Sequence, residues 1–275
     1  MSSTTTFKCK TGEAYQIKVL SELLTHNLKT GCFEIDNDGI KLSMLDNPRK
    51  TMIDLQLDAD NFSIYKNRSA EKMCIGLNMN HLYKMLKSIK KKDSLELFIT
   101  SENPTELGIK TIPKENTRTT TSSLKIQTIQ NVIIKPPTGY KKPVIVPSSE
   151  FQKMCKDLSS IGSVNITVIA SNFQIKFIAN ADGILTRQVA FGESDDSDDS
   201  EDEEEVYKAT FATDQLSRIA KLSGLGTTMQ IFTASVDLPI LFRSSVGTLG
   251  KISVHIKSKE LIDKECEAYD SGDDE

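Results

Sequence analysis

The chain has 275 residues, 38% hydrophobic and 26% charged, which is long enough to bury one large core or two smaller ones and typical of a soluble globular protein. No apolar run approaches the roughly 20 residues of a membrane span, the first residues lack a signal-peptide core, and five scattered cysteines (Cys9, Cys32, Cys74, Cys155, Cys266) form no CxxC. No membrane contact, disulfide framework, metal or other cofactor is therefore expected, and the protein should stay inside the cell. The net charge of −4 hides a segregation. Residues 193–205 carry 10 acidic side chains and 260–275 carry 8, leaving 20 acidic against 33 basic residues elsewhere, a balance of +13. A basic body with two solvated acidic segments points to a polyanionic partner.

In chain order, Ala14, Ile17, Leu20, Leu24 and Leu28 recur at helical spacing, with Lys18 off that line and Gly31 as the stop. The run 32–44 reads as two alternating strands around Asn37-Asp38-Gly39, a hairpin signal. Residues 51–57 alternate and extend the sheet. A second helix starts near Leu77, its apolar face Leu82, Met85, Leu86 and Ile89 and its cations Lys84 and Lys87. Strands 94–100 and 106–111 follow. Pro147, with Ser148 as expected N-cap, opens a third helix whose Phe151, Met154, Cys155 and Leu158 share one face and whose Lys153 and Lys156 share another. Gly162 ends it, and strands 164–170 and 173–179 flank a turn at Ser171-Asn172. A fourth helix, 213–222, places Leu216, Ile219 and Ala220 inward and Arg218 and Lys221 outward, before strands 228–234 and 239–243.

One helix followed by a hairpin thus occurs four times, beginning near residues 14, 78, 148 and 213. The first and third starts, like the second and fourth, lie about half a chain apart. This predicts an α+β protein of two similar domains, each with two helices on an antiparallel sheet. The N-terminal domain is assigned to 1–129 and the C-terminal domain to 144–259, with the acidic insert 193–205 and an acidic tail 260–275. Residues 130–143, with three prolines and a glycine, make an extended connector. An exposed Val132-Ile133-Ile134 there needs a surface or a partner to cover it.

The recurring cationic pair is the main chemical signal. Lys84/Lys87, Lys153/Lys156 and Arg218/Lys221 each lie on the solvent side of a helix whose other side is core, and Lys18 does so alone. Side-by-side helices would align them into a track for phosphates, although lysine on a solvated helix face is also ordinary. No aromatic ladder accompanies them, which favours sequence-blind backbone contact over stacking on single strands. An enzyme is not expected: His26, His81 and His255 stand alone and no phosphate loop, HExxH or GxSxG is present. Residues 87–92 form a basic run of the nuclear-localisation type.

Four stretches carry a resemblance. They are Pro147-Ser148-x-Glu150-Phe151-x-x-x-Cys155-x-Asp157-Leu158-Ser159-x-Ile161-Gly162, the run Asp38-Gly39-Ile40-Lys41-Leu42-Ser43-Met44-Leu45-Asp46, Phe211-Ala212, and Asp237-Leu238-Pro239. In this order, and over essentially the whole chain, the sequence resembles the proliferating cell nuclear antigen family of DNA sliding clamps. The resemblance implies the clamp fold, with three subunits closing head-to-tail into a ring around double-stranded DNA. It implies a processivity factor that tethers DNA polymerase and other proteins bearing a clamp-binding motif, placed on DNA by a clamp loader. Lys18, Lys84, Lys87, Lys153, Lys156, Arg218 and Lys221 would line the inner wall. A groove for short helical peptides with aromatic anchors would be formed by Leu45, Val132, Ile133, Ile134, Pro239, His255 and Lys257.

The sequence departs from the family pattern at four positions. His255 stands where an aromatic residue is usual, Lys257 where a small one is, and Asp214 where the fourth helix usually carries a base. Ser171 replaces the lysine that eukaryotic relatives use for ubiquitin signalling. The acidic insert and the divergence suggest a viral or protist member, located in the nucleus or at a viral replication site. Two alternatives remain open on sequence: a monomeric or hetero-oligomeric clamp-like processivity or checkpoint factor that holds DNA by charge, and an acidic scaffold for histones or other proteins.

Overall fold

The structure, a computed structural model, describes residues 5–69, 71–115, 118–130, 132, 134–171, 174–192 and 207–270; the acidic insert lies outside them. The first half contains β1 (Thr5–Thr11), α1 (Ala14–Asn27), β2 (Thr30–Ile35), β3 (Gly39–Leu45), β4 (Thr51–Asp58), β5 (Ile64–Asn67), β6 (Met73–Asn78), α2 (Met79–Leu86), β7 (Ser94–Thr100), β8 (Glu106–Ile112) and β9 (Thr120–Lys125). The second half repeats the plan with β10 (Val144–Pro147), α3 (Ser148–Ser160), β11 (Asn165–Ser171), β12 (Gln174–Ala181), β13 (Leu185–Gly192), β14 (Tyr207–Ala212), α4 (Thr213–Ile219), β15 (Thr228–Phe232), β16 (Ile240–Val246) and β17 (Gly250–Ile256). A last helix, α5 (Lys259–Asp270), has no counterpart in the first half.

The described strands form three sheets. A five-stranded sheet, β5-β1-β7-β8-β9, belongs to the first half and a four-stranded sheet, β13-β12-β11-β14, to the second. The third sheet, of eight strands, is shared by both: β10-β15-β16-β17-β4-β3-β2-β6. Its seam is the antiparallel pair β17/β4, in register from Gly250 opposite Leu57 to Ile256 opposite Thr51. A Cβ on Gly250 would sit 2.0 Å from the Gln56 carbonyl oxygen, so only glycine lets the two halves approach this closely. Alternation then sends Ile53, Leu55 and Leu57 of β4, with Ile252, Val254 and Ile256 of β17, into the core. Met52 and His255, paired across the seam, project from the opposite face.

The helices cover the core side as a layer ordered α2, α1, α4, α3, which crosses from one half to the other. Residues Phe151, Met154, Cys155 and Leu158 of α3 are all buried, and Phe151 packs on Phe177 and Phe242 with ring centroids 6.4 and 5.5 Å apart. Ser148 is not the cap of α3: it is the first helical residue, its Oγ is buried without a partner among the described residues, and Pro147 holds the cap position. Met85, expected in the core, is 37% exposed because the stripe of the short α2 is filled by Met79, Leu82 and Leu86. In α1 the buried set extends to Val19 and Leu23, while Ile17 is only partly buried. The cause is the neighbouring half: Gly224, in the 3-10 turn after α4, packs directly on Val19.

Residues 260–275, expected as a solvated appendage, fold into α5 as far as Asp270. Ser258 Oγ accepts the Leu261 N–H at 3.1 Å and starts the helix, Leu261 is buried, and the Glu260 carboxylate accepts the Thr210 N–H of β14 at 3.0 Å. Gly39 closes the β2/β3 hairpin with φ 150°, where a Cβ would meet the Leu57 carbonyl oxygen at 2.0 Å. Neither Asn37 nor Asp38 has a positive φ, so glycine serves close approach to β4 and not a type I′ turn.

The seam yields a direct test. Gly250→Ala should lower unfolding stability by about 2–3 kcal/mol through backbone collision, whereas Gly12→Ala, with no atom within 4 Å of the added Cβ, should change it by less than about 0.5 kcal/mol. Denaturant melts of both variants would check this, and equal effects would refute the close-approach constraint.

Candidate nucleic-acid interface and peptide groove

All seven cations predicted for the DNA-facing wall fall on the helix layer or its immediate ends, but they are not equivalent. Lys84, Lys153 and Lys156 are exposed on α2 and α3, and Lys87, also exposed, follows the last turn of α2; none of the four makes an ion pair with a described residue. The other three are engaged. Lys18 Nζ donates to the Ile89 carbonyl at 3.1 Å and lies 5.4 Å from the Tyr15 ring centroid. Arg218 pairs with Asp214 one turn back at 2.7 Å, and Lys221 pairs with Glu22 of α1 at 2.7 Å. The free cations therefore sit on the two outer helices of the layer and the compensated ones on the two inner helices. Lys221–Glu22 also bridges the halves.

Lys91 was not among the predicted wall residues. It lies in the loop after α2 with its Nζ 5.9 Å from the Tyr15 ring, beside Lys18, and Lys90 and Lys92 next to it are exposed. Helical spacing cannot find loop residues; the sequence signal available was the basic run 87–92 itself.

On the other face of the shared sheet, Leu45, Ile134, Pro239, His255 and Lys257 line one groove of about 290 Å³. Five of the seven predicted groove residues therefore converge from β3, the connector, the loop before β16, and β17 with its exit. Val132 is 61% exposed and is not part of the lining, and Ile133 lies outside the described residues. Met52, Leu238 and Leu261 complete the apolar surface, with Lys50, Lys135, Asp237 and Glu265 among the charged groups around it. Met52 was readable as the cross-strand partner of His255 only once the β4/β17 register was known. The α5 wall was obscured by its acidic composition.

The connector is held at both ends of its path: Ser43 Oγ donates to the Ile134 carbonyl at 3.4 Å and the Lys141 N–H to the Thr233 carbonyl at 2.9 Å. Helix α5 is tied across the groove by Lys257–Glu265 at 2.6 Å and Lys264–Asp237 at 2.7 Å. Such exposed pairs orient the helix more than they stabilise it.

Beneath the groove, Tyr140 Oη donates to the Pro239 carbonyl at 3.0 Å and lies 2.9 Å from His255 Nδ1. A carbonyl only accepts and the phenol has one proton, so satisfying all three groups requires Nδ1–H to donate to Tyr140. Burial, with the nearby Arg243 charge adding to it, lowers the His255 pKa from 6.5 to about 4. The imidazole is thus neutral at physiological pH.

The unfolded chain takes up a proton at this histidine as pH falls below about 6.5, while the folded chain resists until about 4. The site therefore costs nothing above pH 6.5 and destabilises increasingly below it, by about 2.5 kcal/mol at pH 4.5. Relative to wild type, His255→Phe should gain that amount of stability between pH 7.5 and 4.5 in thermal or urea unfolding. A stability difference that does not change with pH would contradict a buried neutral imidazole.

Residues 6–132 match the family described as "Proliferating cell nuclear antigen, N-terminal domain", and residues 135–265 match "Proliferating cell nuclear antigen, C-terminal domain". The "Probable DNA polymerase sliding clamp 1" of Paramecium bursaria Chlorella virus 1 is 22% identical over 252 residues, covering 90% of this chain and 94% of that protein. Proliferating cell nuclear antigen of Chaetomium thermophilum is 26% identical over 232 residues, covering 82% of this chain and 88% of its own length. "Uncharacterized protein 436R" of Invertebrate iridescent virus 6 is 24% identical over 262 residues, or 87% and 85% of the two chains. The two matched segments meet within the connector and cover two similar α+β halves of helices on antiparallel sheets. With both domains of the family present in order, this chain belongs to the proliferating cell nuclear antigen family of DNA sliding clamps, non-catalytic scaffolds that serve DNA polymerases.

Proposed function

We propose that three copies of this chain close head-to-tail into a ring around duplex DNA, and that the ring tethers a polymerase and other groove-binding proteins during replication in the nucleus or at a viral replication site. A clamp loader would open and place the ring. The observation that carries the ring is that, of the open strand edges among the described residues, one lies at the end of a sheet from each half of the chain. β9 ends the five-stranded sheet and β13 ends the four-stranded sheet, each bonded on one side only among the described residues. The edge of β14 is instead met by Glu260 of α5, and that of β6 by an isolated bridge to Gln127. Exposed strand edges invite another chain, and here apolar side chains accompany one of them: Ile184 is 91% and Leu185 47% exposed at the start of β13. Joining β9 of one copy to β13 of the next is a heterologous contact, which closes when the rotation is three-fold.

Duplex DNA inside the ring is supported by the helix layer. Lys84, Lys87, Lys153 and Lys156 make no ion pair with a described residue, repeat in both halves, and suit phosphate contact without base readout. Many weak contacts permit sliding while closure prevents escape. A groove on the opposite sheet face leaves bound partners outside the DNA channel.

Light scattering should give a native mass of three times the 30.5 kDa chain, and the double change Ile184→Glu with Leu185→Glu should return it to one chain. A wild-type monomer at every concentration would overturn the ring. Changing Lys84, Lys87, Lys153 and Lys156 to Gln should leave the mass unchanged but abolish stimulation of polymerase processivity. Each phosphate contact removed should also flatten the logarithmic salt dependence of DNA binding by about one unit. Undiminished stimulation would reject the four lysines as the DNA-facing track.

A further inference from the structure

Leu45, Met52, Ile134, Pro239 and Leu261 give the groove an apolar lining flanked by charged side chains, and one neutral polar side chain is buried among them. That side chain, His255, lines the groove and is 3% exposed. Its Nδ1 side is committed to Tyr140, whose own proton goes to the Pro239 carbonyl. That chain of bonds fixes the tautomer, leaving Nε2 as an unprotonated acceptor. No described residue donates to Nε2, and it is not among the fully enclosed unpartnered side-chain atoms. Tyr140 is absent from the groove lining, so the relay approaches His255 from behind.

We propose that His255 is a specificity-determining residue of the groove, selecting partner peptides whose aromatic anchor carries a hydrogen-bond donor, tyrosine or tryptophan, over those anchored by phenylalanine. The inference rests on the peptide-groove reading above and adds the chemistry of the occupant. An anchor that covers Nε2 removes it from water. A tyrosine O–H or tryptophan N–H replaces the lost hydrogen bond, whereas phenylalanine leaves a buried acceptor unpaired. Discrimination is strongest where a site built to hydrogen-bond meets an analogue lacking the group. Size permits either ring, since a cavity of about 150 Å³ already admits benzene and this groove measures about 290 Å³. Other polar groups near the groove are less suited to the role. Glu265 is already paired with Lys257, and Lys50 and Lys135 donate rather than accept.

The neutral state that this selection needs is the one burial enforces, because an imidazolium would offer a second donor and repel the anchor's own. The relay also makes Tyr140 a positioning residue. Without its hydroxyl, Nδ1 and Nε2 compete for the proton, and the acceptor in the groove is no longer fixed.

The test uses a fluorescein-labelled helical peptide with two adjacent aromatic anchors, synthesised with Phe, Tyr or Trp at each anchor and titrated by anisotropy against the full chain. Wild type should bind the best Tyr or Trp version roughly tenfold or more tighter than the Phe–Phe version. His255→Phe should bring the versions within about twofold of one another, mainly by tightening the Phe–Phe peptide. Tyr140→Phe should shrink the preference without abolishing binding, and Glu265→Gln should leave it intact. Equal binding of all versions by wild type, or a preference that survives His255→Phe, would overturn the role of His255 while leaving the groove in place. Failure of every version to bind wild type would overturn the groove reading as well. The wild-type ranking stands alone if a variant fails to fold.

Discussion

The antiparallel seam between β4 and β17 governs both candidate functional faces of the molecule. Seven registered pairs join the two halves into one sheet, from Gly250/Leu57 to Ile256/Thr51. Because side chains alternate across a strand, the seam has two products. Inward, it aligns Ile53, Leu55, Ile252 and Val254 in one core, while α1 packed against α4 and the turn after it carries the helix layer from one half to the other. Outward, it sets Met52 beside His255 and brings Leu45 of β3 next to Met52, forming the groove floor. A slip of one residue would exchange these sets, putting His255 in the core and Val254 on the surface.

What the sequence revealed followed periodicity. The four helices start within about two residues of their expected positions, and Ser94–Thr100 was read to the residue, because strong apolar patterns mark them. Several missed strands carried weaker or masked patterns. β13 is exposed along most of its length, and β9 is Thr-Thr-Ser-Ser-Leu-Lys, so neither shows the alternation of a half-buried strand. Both are sheet edges, which makes their polarity intelligible afterwards. β1 and β14 do alternate, through Phe7, Cys9 and Thr11 and through Tyr207, Ala209 and Phe211, but each lies against a tract that draws the eye elsewhere, the N-terminus and the acidic insert. The shared sheet could not be read locally at all, since pairing residue 57 with residue 250 is a fact of topology.

The site residues divide along the same line. Cations on helices α2 and α3 were legible because their spacing sets them opposite an apolar stripe, and none of them pairs with a described acidic residue. Compensation of the inner three was not. Glu22 lies some two hundred positions before Lys221, and only the packing of α1 against the turn after α4 brings them to 2.7 Å. Asp214, which departs from the family pattern, has a local explanation in its pairing with Arg218 four residues on. The groove was legible through resemblance more than through pattern, and its contribution from α5 was hidden by a composition that reads as a solvated tail.

Among the described residues, the fold keeps the acid of α5 apart from the free cations, as the proposed DNA-facing role needs. The acidic helix α5 runs along the groove, where Glu265 and Asp237 each hold a lysine, while the free cations project from the helix layer on the other side of the shared sheet. Fields from charges separated by more than about 8–10 Å are largely screened at physiological salt, so acid on the groove side does little to weaken the field of the cations on the helix side. What the acid can influence is its own surroundings, the entrance to a groove that combines an apolar lining with the buried His255. On the proposed reading, affinity for DNA and choice of partner belong to opposite faces of one sheet, and each face can vary in sequence without compromising the other as long as the seam holds.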